Sequence, residues 1–151
     1  MKIVSGGQTG VDRAALDVAI ELGIPCGGWC PQGRLAEDGV IPARYPLAET
    51  PSPNYEQRTE WNVRDSDGTL VLTLGEPTGG TAFTVELAQK HRKPHLVVFL
   101  DARTNLQSVS DWIASNQIET LNVAGPRLST QPESYRLAAE FLRKLLAGKR
   151  S

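Results

Sequence analysis

The sequence predicts a doubly wound α/β fold built on a mainly parallel sheet of about five strands. Three observations carry that expectation. The chain opens with a short apolar run, Lys2-Ile3-Val4, then the turn Ser5-Gly6-Gly7-Gln8-Thr9-Gly10. Next come apolar residues at Val11, Ala14, Ala15, Val18, Ala19 and Leu22, spaced as one stripe of a helix. A second corner of the same kind, strand then Gly79-Gly80-Thr81 then helix, appears later. The intervening run Thr69-Leu70-Val71-Leu72-Thr73-Leu74 is almost continuously apolar, as a parallel strand buried on both faces requires.

The first corner is the phosphate-binding type of turn. Glycines let backbone approach a ligand, and free N–H groups at a helix N-terminus attract an anion. A tight βα turn with no ligand would use the same glycines. Thr9 and Asp12 are spaced as a capping box with Asp in place of Glu. Arg13 in the first turn opposes the helix dipole, a position that suits solvent or a nearby anion or carboxylate.

Gly23 stops the first helix, and Ile24-Pro25-Cys26-Gly27-Gly28-Trp29-Cys30 reads as a second, short strand. Cys26 and Cys30, taken with His91 and His95, superficially resemble a zinc pattern. Buried, reduced thiols are the expectation, with no protein-ligated metal. Residues 31–54 are rich in proline and glycine and read as a long irregular connection, either disordered or a lid or interface ordered by Arg34, Glu37, Asp38 and Arg44. A polar helix follows over Tyr55–Asp65 with Asn54 as its cap, and Arg58 and Asn62 project together from it.

The strand at 69–74 leads through the second glycine corner into a helix over Ala82–Arg92. A strand at His95–Leu100, a helix at Asn105–Asn116 holding Trp112 in core or interface, a strand at Glu119–Ala124 and a helix after Pro132 complete the chain. One domain over 1–151 is expected from the length. Net charge is −1, which leaves no nucleic-acid footprint. Eleven of the sixteen basic residues are Arg, suited to forked binding of carboxylate or phosphate. With no long apolar run and no signal peptide, the expected location is cytoplasmic and away from membrane.

Gly6-Gly7-Gln8-Thr9-Gly10-Val11-Asp12-Arg13-Ala14, Gly28-Trp29-Cys30-Pro31, Ala36-Glu37-Asp38-Gly39, Gly79-Gly80-Thr81 and Val123-Ala124-Gly125-Pro126-Arg127 occur together. This set resembles the bacterial family named as molybdenum cofactor carriers. That family is similar in turn to the Rossmann-like proteins that include the Lonely Guy cytokinin-activating enzymes and the lysine-decarboxylase-like proteins. The resemblance implies a Rossmann-like domain, often oligomeric, that binds a nucleotide-like or phosphorylated ligand between its two glycine corners. The enzymatic relatives carry a Glu three residues after the Thr of the second corner, acting in N-glycosidic cleavage. Here Thr84 stands in that place, and Glu86 lies two residues on.

The expected function is therefore a carrier or binding protein for a phosphorylated nucleotide- or pterin-type ligand, with molybdenum cofactor or a nucleotide as the bound molecule. Gly6, Gly7, Gln8, Thr9, Gly10 and Arg13 would hold one anionic group. Gly79, Gly80 and Thr81 would hold another, with Arg58 and Arg127 as charge partners. The rivals are a nucleoside-monophosphate N-glycosidase, for which Glu86 and Asp12 are the weak catalytic candidates, and a single-stranded nucleic-acid-binding module. A homodimer or larger homo-oligomer is expected, because the polar helix and the long connection cover an isolated small domain poorly.

Overall fold

A computed structural model describes residues 1–102 and 104–148. The central sheet has five parallel strands. They are β1 (Lys2–Val4), β2 (Cys26–Gly27), β7 (Gly68–Thr73), β8 (His95–Phe99) and β9 (Thr120–Ala124), in the order β2-β1-β9-β7-β8. Five helices surround it: α1 (Val11–Leu22), α2 (Tyr55–Arg64), α3 (Gly79–Lys90), α4 (Leu106–Ser115) and α5 (Ser134–Leu146). The expected α/β class and parallel sheet are both present. Strands that run the same way put their carboxyl ends on one edge, and the order changes direction beside β1, where such folds form a crevice.

The larger core joins Ile3, Leu70, Leu72, Leu121 and Val123 of the sheet to the apolar stripes of α1, α4 and α5. Val11, Ala14, Ala15, Val18 and Ala19 are all buried, as the i, i+3, i+4 spacing requires. A second, smaller cluster holds Val63 of α2 to Leu87 and Ala88 of α3. Trp112 packs partly buried against the larger core.

Two local expectations are corrected. The run 24–30 is not one strand. Gly28 takes φ 126, and a Cβ there would come within 2.9 Å of the Ser5 nitrogen, so only glycine allows the chain to pass β1 this closely. β2 stays in the central sheet, while β3 (Trp29–Cys30) leaves it and pairs in parallel with β6 (Ala48–Glu49). The connection over 31–54 is also more regular than its composition indicates, since it contains β6 and the antiparallel hairpin β4 (Leu35–Ala36) and β5 (Gly39–Val40). Charge pairing and hydrogen bonds order it. Arg34 donates to the carbonyls of Ile41, Pro42, Tyr45 and Leu47, and the Tyr45 hydroxyl donates to Asp17 at 2.7 Å. Among the described residues no helix is long and apolar enough to cross a membrane.

Candidate functional site

A cavity of about 580 Å³ opens at the carboxyl edge of the sheet. The first corner contributes Gly6, Gln8 and Asp12 to its wall, and α2 contributes Tyr55, Arg58 and Asn62. The start of α3 supplies Thr78, Gly79, Gly80, Thr81 and Thr84, and the end of β9 with the segment after it supplies Asn122 to Arg127. Cavities of roughly this size suit small ligands and cofactors.

The two glycine corners differ. In the first, Gly10 is the N-cap residue of α1 at φ 82, and no side chain caps the helix. The expected Thr9–Asp12 capping box does not form. Thr9 donates its hydroxyl to the Glu37 carboxylate and accepts from the Leu128 N–H at 3.1 Å. Asp12 accepts from the Gln8 N–H at 3.2 Å. The Thr9 N–H donates to the Gln8 side-chain oxygen, and the Val11 N–H to the Pro126 carbonyl. Several of the corner's donors thus go to the chain's own acceptors, and two carboxylates of the protein sit where an anion would approach.

Arg13 turns away from the cavity. Its fork grips Asp38 at 2.5 and 2.7 Å, and its Nε donates to the Gly7 carbonyl at 3.1 Å, tying the β4–β5 hairpin to the corner. Gly7, Thr9, Gly10 and Arg13 lie off the cavity wall, in contrast to the grouping read from sequence. Gly7 instead faces Leu47 and Ile41 of the folded connection.

The second corner is open. α3 starts at Gly79, so the glycines form its first turn, three residues earlier than the periodicity indicates. Gly79 has φ 52, a left-handed value that favours glycine. A Cβ added at Gly80 would meet nothing within 4 Å. Thr78 makes no side-chain cap bond, and among the described residues the N–H groups of Gly79 and Gly80 reach no protein acceptor. These are the uncompensated donors of a helix start, and the two glycines that carry them line the cavity. Thr84 is buried on the wall and donates to the Gly80 carbonyl at 3.0 Å. Glu86 is exposed and off the wall.

Charge converges on this space. Arg58 is buried, with Nη1 donating to the Gly6 carbonyl at 3.0 Å and Nε to Thr59 at 3.1 Å. Its guanidinium lies over the Tyr55 ring at 5.1 Å and 3.6 Å from Asp12 Oδ2. Burial pushes the Asp12 carboxyl up to about 6, against the pull of Arg58, the Gln8 N–H and Arg13. Arg127, at the rim, is half exposed and 3.6 Å from Glu37. Hydrogen bonds from Ser129 and Thr9 and the charge of Arg127 hold Glu37 below the usual carboxylate range, despite a contrary desolvation effect.

Asn122 is a buried polar wall residue that sequence reading missed. It donates to Thr69 at 3.2 Å. Its signal was an amide in the centre of the apolar run Leu121-Asn122-Val123. Asn62 accepts from the Trp29 N–H and donates to the Trp29 carbonyl, so it also fastens β3 to α2. Cys30 is buried and Cys26 half-buried, both as free thiols, and His91 pairs with Glu60 at 2.9 Å. Among the described residues no three His, Cys, Asp or Glu side chains gather as a metal-ion site.

Residues 3–146 match the model of the circularly permutated YpsA SLOG family. A solved structure, described as "putative molybdenum carrier protein" from Syntrophus aciditrophicus SB, is 48% identical with a TM-score of 0.91. The similarity covers 96% of this chain and 94% of that one. No curated protein matches.

Proposed function

Because the chain belongs to the circularly permutated YpsA SLOG family, we propose that it is a carrier or binding protein for a phosphorylated nucleotide- or pterin-type ligand. The observation that carries this reading is the open start of α3, where Gly79 and Gly80, whose N–H groups have no protein acceptor, line the same cavity as Arg58. Helix N-termini favour anions through unsatisfied N–H groups and the helix dipole. The carrier name of the solved relative supports molybdenum cofactor as one cargo of this class. In that case the pterin holds the metal, and the protein grips the phosphate and the ring system. Arg127 at the rim and Thr81 beside the open turn are the further contacts we assign to the anion.

Gly80→Ala tests the reading. The added methyl enters open cavity space, so the fold should keep its melting temperature while binding of a phosphorylated ligand weakens. Loss of one or two charge-assisted bonds, about 1.5–3 kcal/mol each, lowers affinity by roughly one to three decades. The assay is calorimetric titration with nucleoside monophosphates and pterin phosphates, beside native mass spectrometry of gently purified protein. Unchanged binding in Gly80→Ala sinks the reading. We propose further that the protein acts in the cytoplasm as a homodimer or larger oligomer; a monomeric mass in light scattering at micromolar concentration counts against the assembly.

One observation favours a second reading, a nucleotide N-glycosidase. Asp12 puts a carboxyl near neutral pKa on the cavity wall. Thr84 cannot replace the lost glutamate as an acid or base, so we expect no appreciable base release from AMP. Turnover that vanishes in Asp12→Asn would promote the enzyme reading.

A further inference from the structure

We propose that Asp12 orients the ligand, accepting hydrogen bonds from neutral donors of its organic part while the anion occupies the start of α3. The proposal rests on the reading that this cavity binds a phosphorylated small molecule. It goes beyond that reading by giving the site a direction and the ligand a second chemical requirement.

The Asp12 side chain is only 10% exposed and lines the cavity. The Gln8 N–H donates to it at 3.2 Å, the Gly6 backbone N–H also acts on it, and Arg58 Nη1, at 3.6 Å, stands outside hydrogen-bond reach. An ionised carboxylate has about four acceptor sites. Two backbone N–H groups leave part of that capacity unused, and the residue carrying it lines the cavity. The charged groups facing it are Arg58 from α2 and Arg13 from its own helix. Arg13 is already committed to Asp38.

The cavity therefore has two unlike ends. The start of α3 offers donors and positive potential, and the first corner offers a carboxylate. A phosphate beside Asp12 would meet a like charge in a poorly hydrated space, whereas hydroxyl or N–H donors would satisfy it. Donors of the right kind come in two forms: the vicinal hydroxyls of a ribose, or the amidine N–H edge of a guanine- or pterin-like ring. A buried acceptor left unpaired discriminates strongly against a ligand that lacks the donor.

The test is calorimetric titration of the full chain. Inorganic phosphate, AMP, 2′,3′-dideoxy-AMP, GMP and IMP are titrated against the parent, Asp12→Asn and Gly80→Ala. The parent should bind AMP or GMP at least tenfold more tightly than inorganic phosphate. Asp12→Asn should lose tenfold to a hundredfold for that nucleotide and hold or gain affinity for inorganic phosphate. On the ligand side, which needs no variant, a tenfold loss from AMP to its dideoxy analogue marks the hydroxyls as the donors. A similar loss from GMP to IMP marks the amidine edge. Equal binding across both ligand pairs, or nucleotide affinity unchanged in Asp12→Asn, overturns the proposal. Gly80→Ala separates the two ideas: if it binds every compound like the parent, the cavity reading itself fails.

Discussion

A Cβ on Gly6 would overlap Nη1 of Arg58 and come within 2.8 Å of its Cδ, so the glycine is the space through which the guanidinium reaches the cavity wall. Arg58 in turn donates to the carbonyl of Gly6. The two residues stand 52 positions apart and specify one another. Gly6→Ala should therefore behave like the loss of Arg58 in binding, because the far end of a flexible side chain can swing away more easily than backbone can yield. We expect both Gly6→Ala and Arg58→Ala to abolish the thermal upshift caused by a phosphorylated ligand. The double variant should be no worse than either single one. Additive losses in the double-variant cycle would show that the two act independently.

Gly7→Ala should act differently. Gly7 has φ 78, and its Cβ would lie 2.6 Å from Leu47 Cδ1 and 3.0 Å from Ile41 Cδ1. Left-handed strain of roughly 1–2 kcal/mol adds to overpacking of roughly 1–3 kcal/mol. The expected loss is about 2–5 kcal/mol in urea unfolding, with ligand affinity of the folded fraction little changed. Parent-like stability would mean that Leu47 and Ile41 relax freely.

Arg34 is the tie of the long connection, with bonds of 2.8–3.2 Å to four carbonyls and its own φ at 55. Hydrogen bonds to a charged group are worth about 1.5–3 kcal/mol each when buried, less at a partly exposed site. Arg34→Ala should cost about 2 kcal/mol globally. More tellingly, it should speed hydrogen exchange at Ile41 and Leu47 and speed tryptic cleavage after Arg44, whose side chain is already exposed but whose segment is ordered. Protection unchanged over 35–47 would show that the small strands hold the segment by themselves.

The parts of this fold that were legible in the sequence are those set by local periodicity. The stripe of α1 and the apolar run of β7 each name their element because burial acts on every third or fourth residue, or on every residue. What was hidden depends on long-range partners. Nothing near Thr9 shows that its hydroxyl serves Glu37 and Leu128 instead of capping α1. Nothing near Arg13 shows that Asp38 claims its fork. The same holds for the cavity. The glycine corners look alike in sequence, yet the first is filled by Asp12 and Glu37 and the second is open, a difference made by residues up to 28 positions away. Proline and glycine between 31 and 54 mark turns correctly, but the two short ladders there rest on Arg34 and on the break at Gly28.

Asp12 gives the last prediction a definite sign. Burial raises its pKa from 3.8 to about 6, so the folded chain holds this proton more tightly than the unfolded chain does. The stability linked to the group is therefore fully present below pH 4 and is lost as pH rises through 6. Above that, the charge stays buried at a constant cost. A shift of about two units corresponds to about 3 kcal/mol, at 1.36 kcal/mol per unit. Carboxylates held low by hydrogen bonds and cations, such as Asp38 and Asp65, contribute with the opposite slope, so the raw pH profile mixes the two. The difference between parent and Asp12→Asn isolates the group. Parent minus variant stability, from urea midpoints at equal m-value, should fall by about 2 kcal/mol between pH 4.5 and 7.5 and then level off. A cavity ligand that donates to the ionised carboxylate should flatten that curve in the parent by drawing the pKa down. A difference that is already flat without ligand would mean that Asp12 is solvated through the cavity, with no desolvation cost for a ligand's donors to relieve.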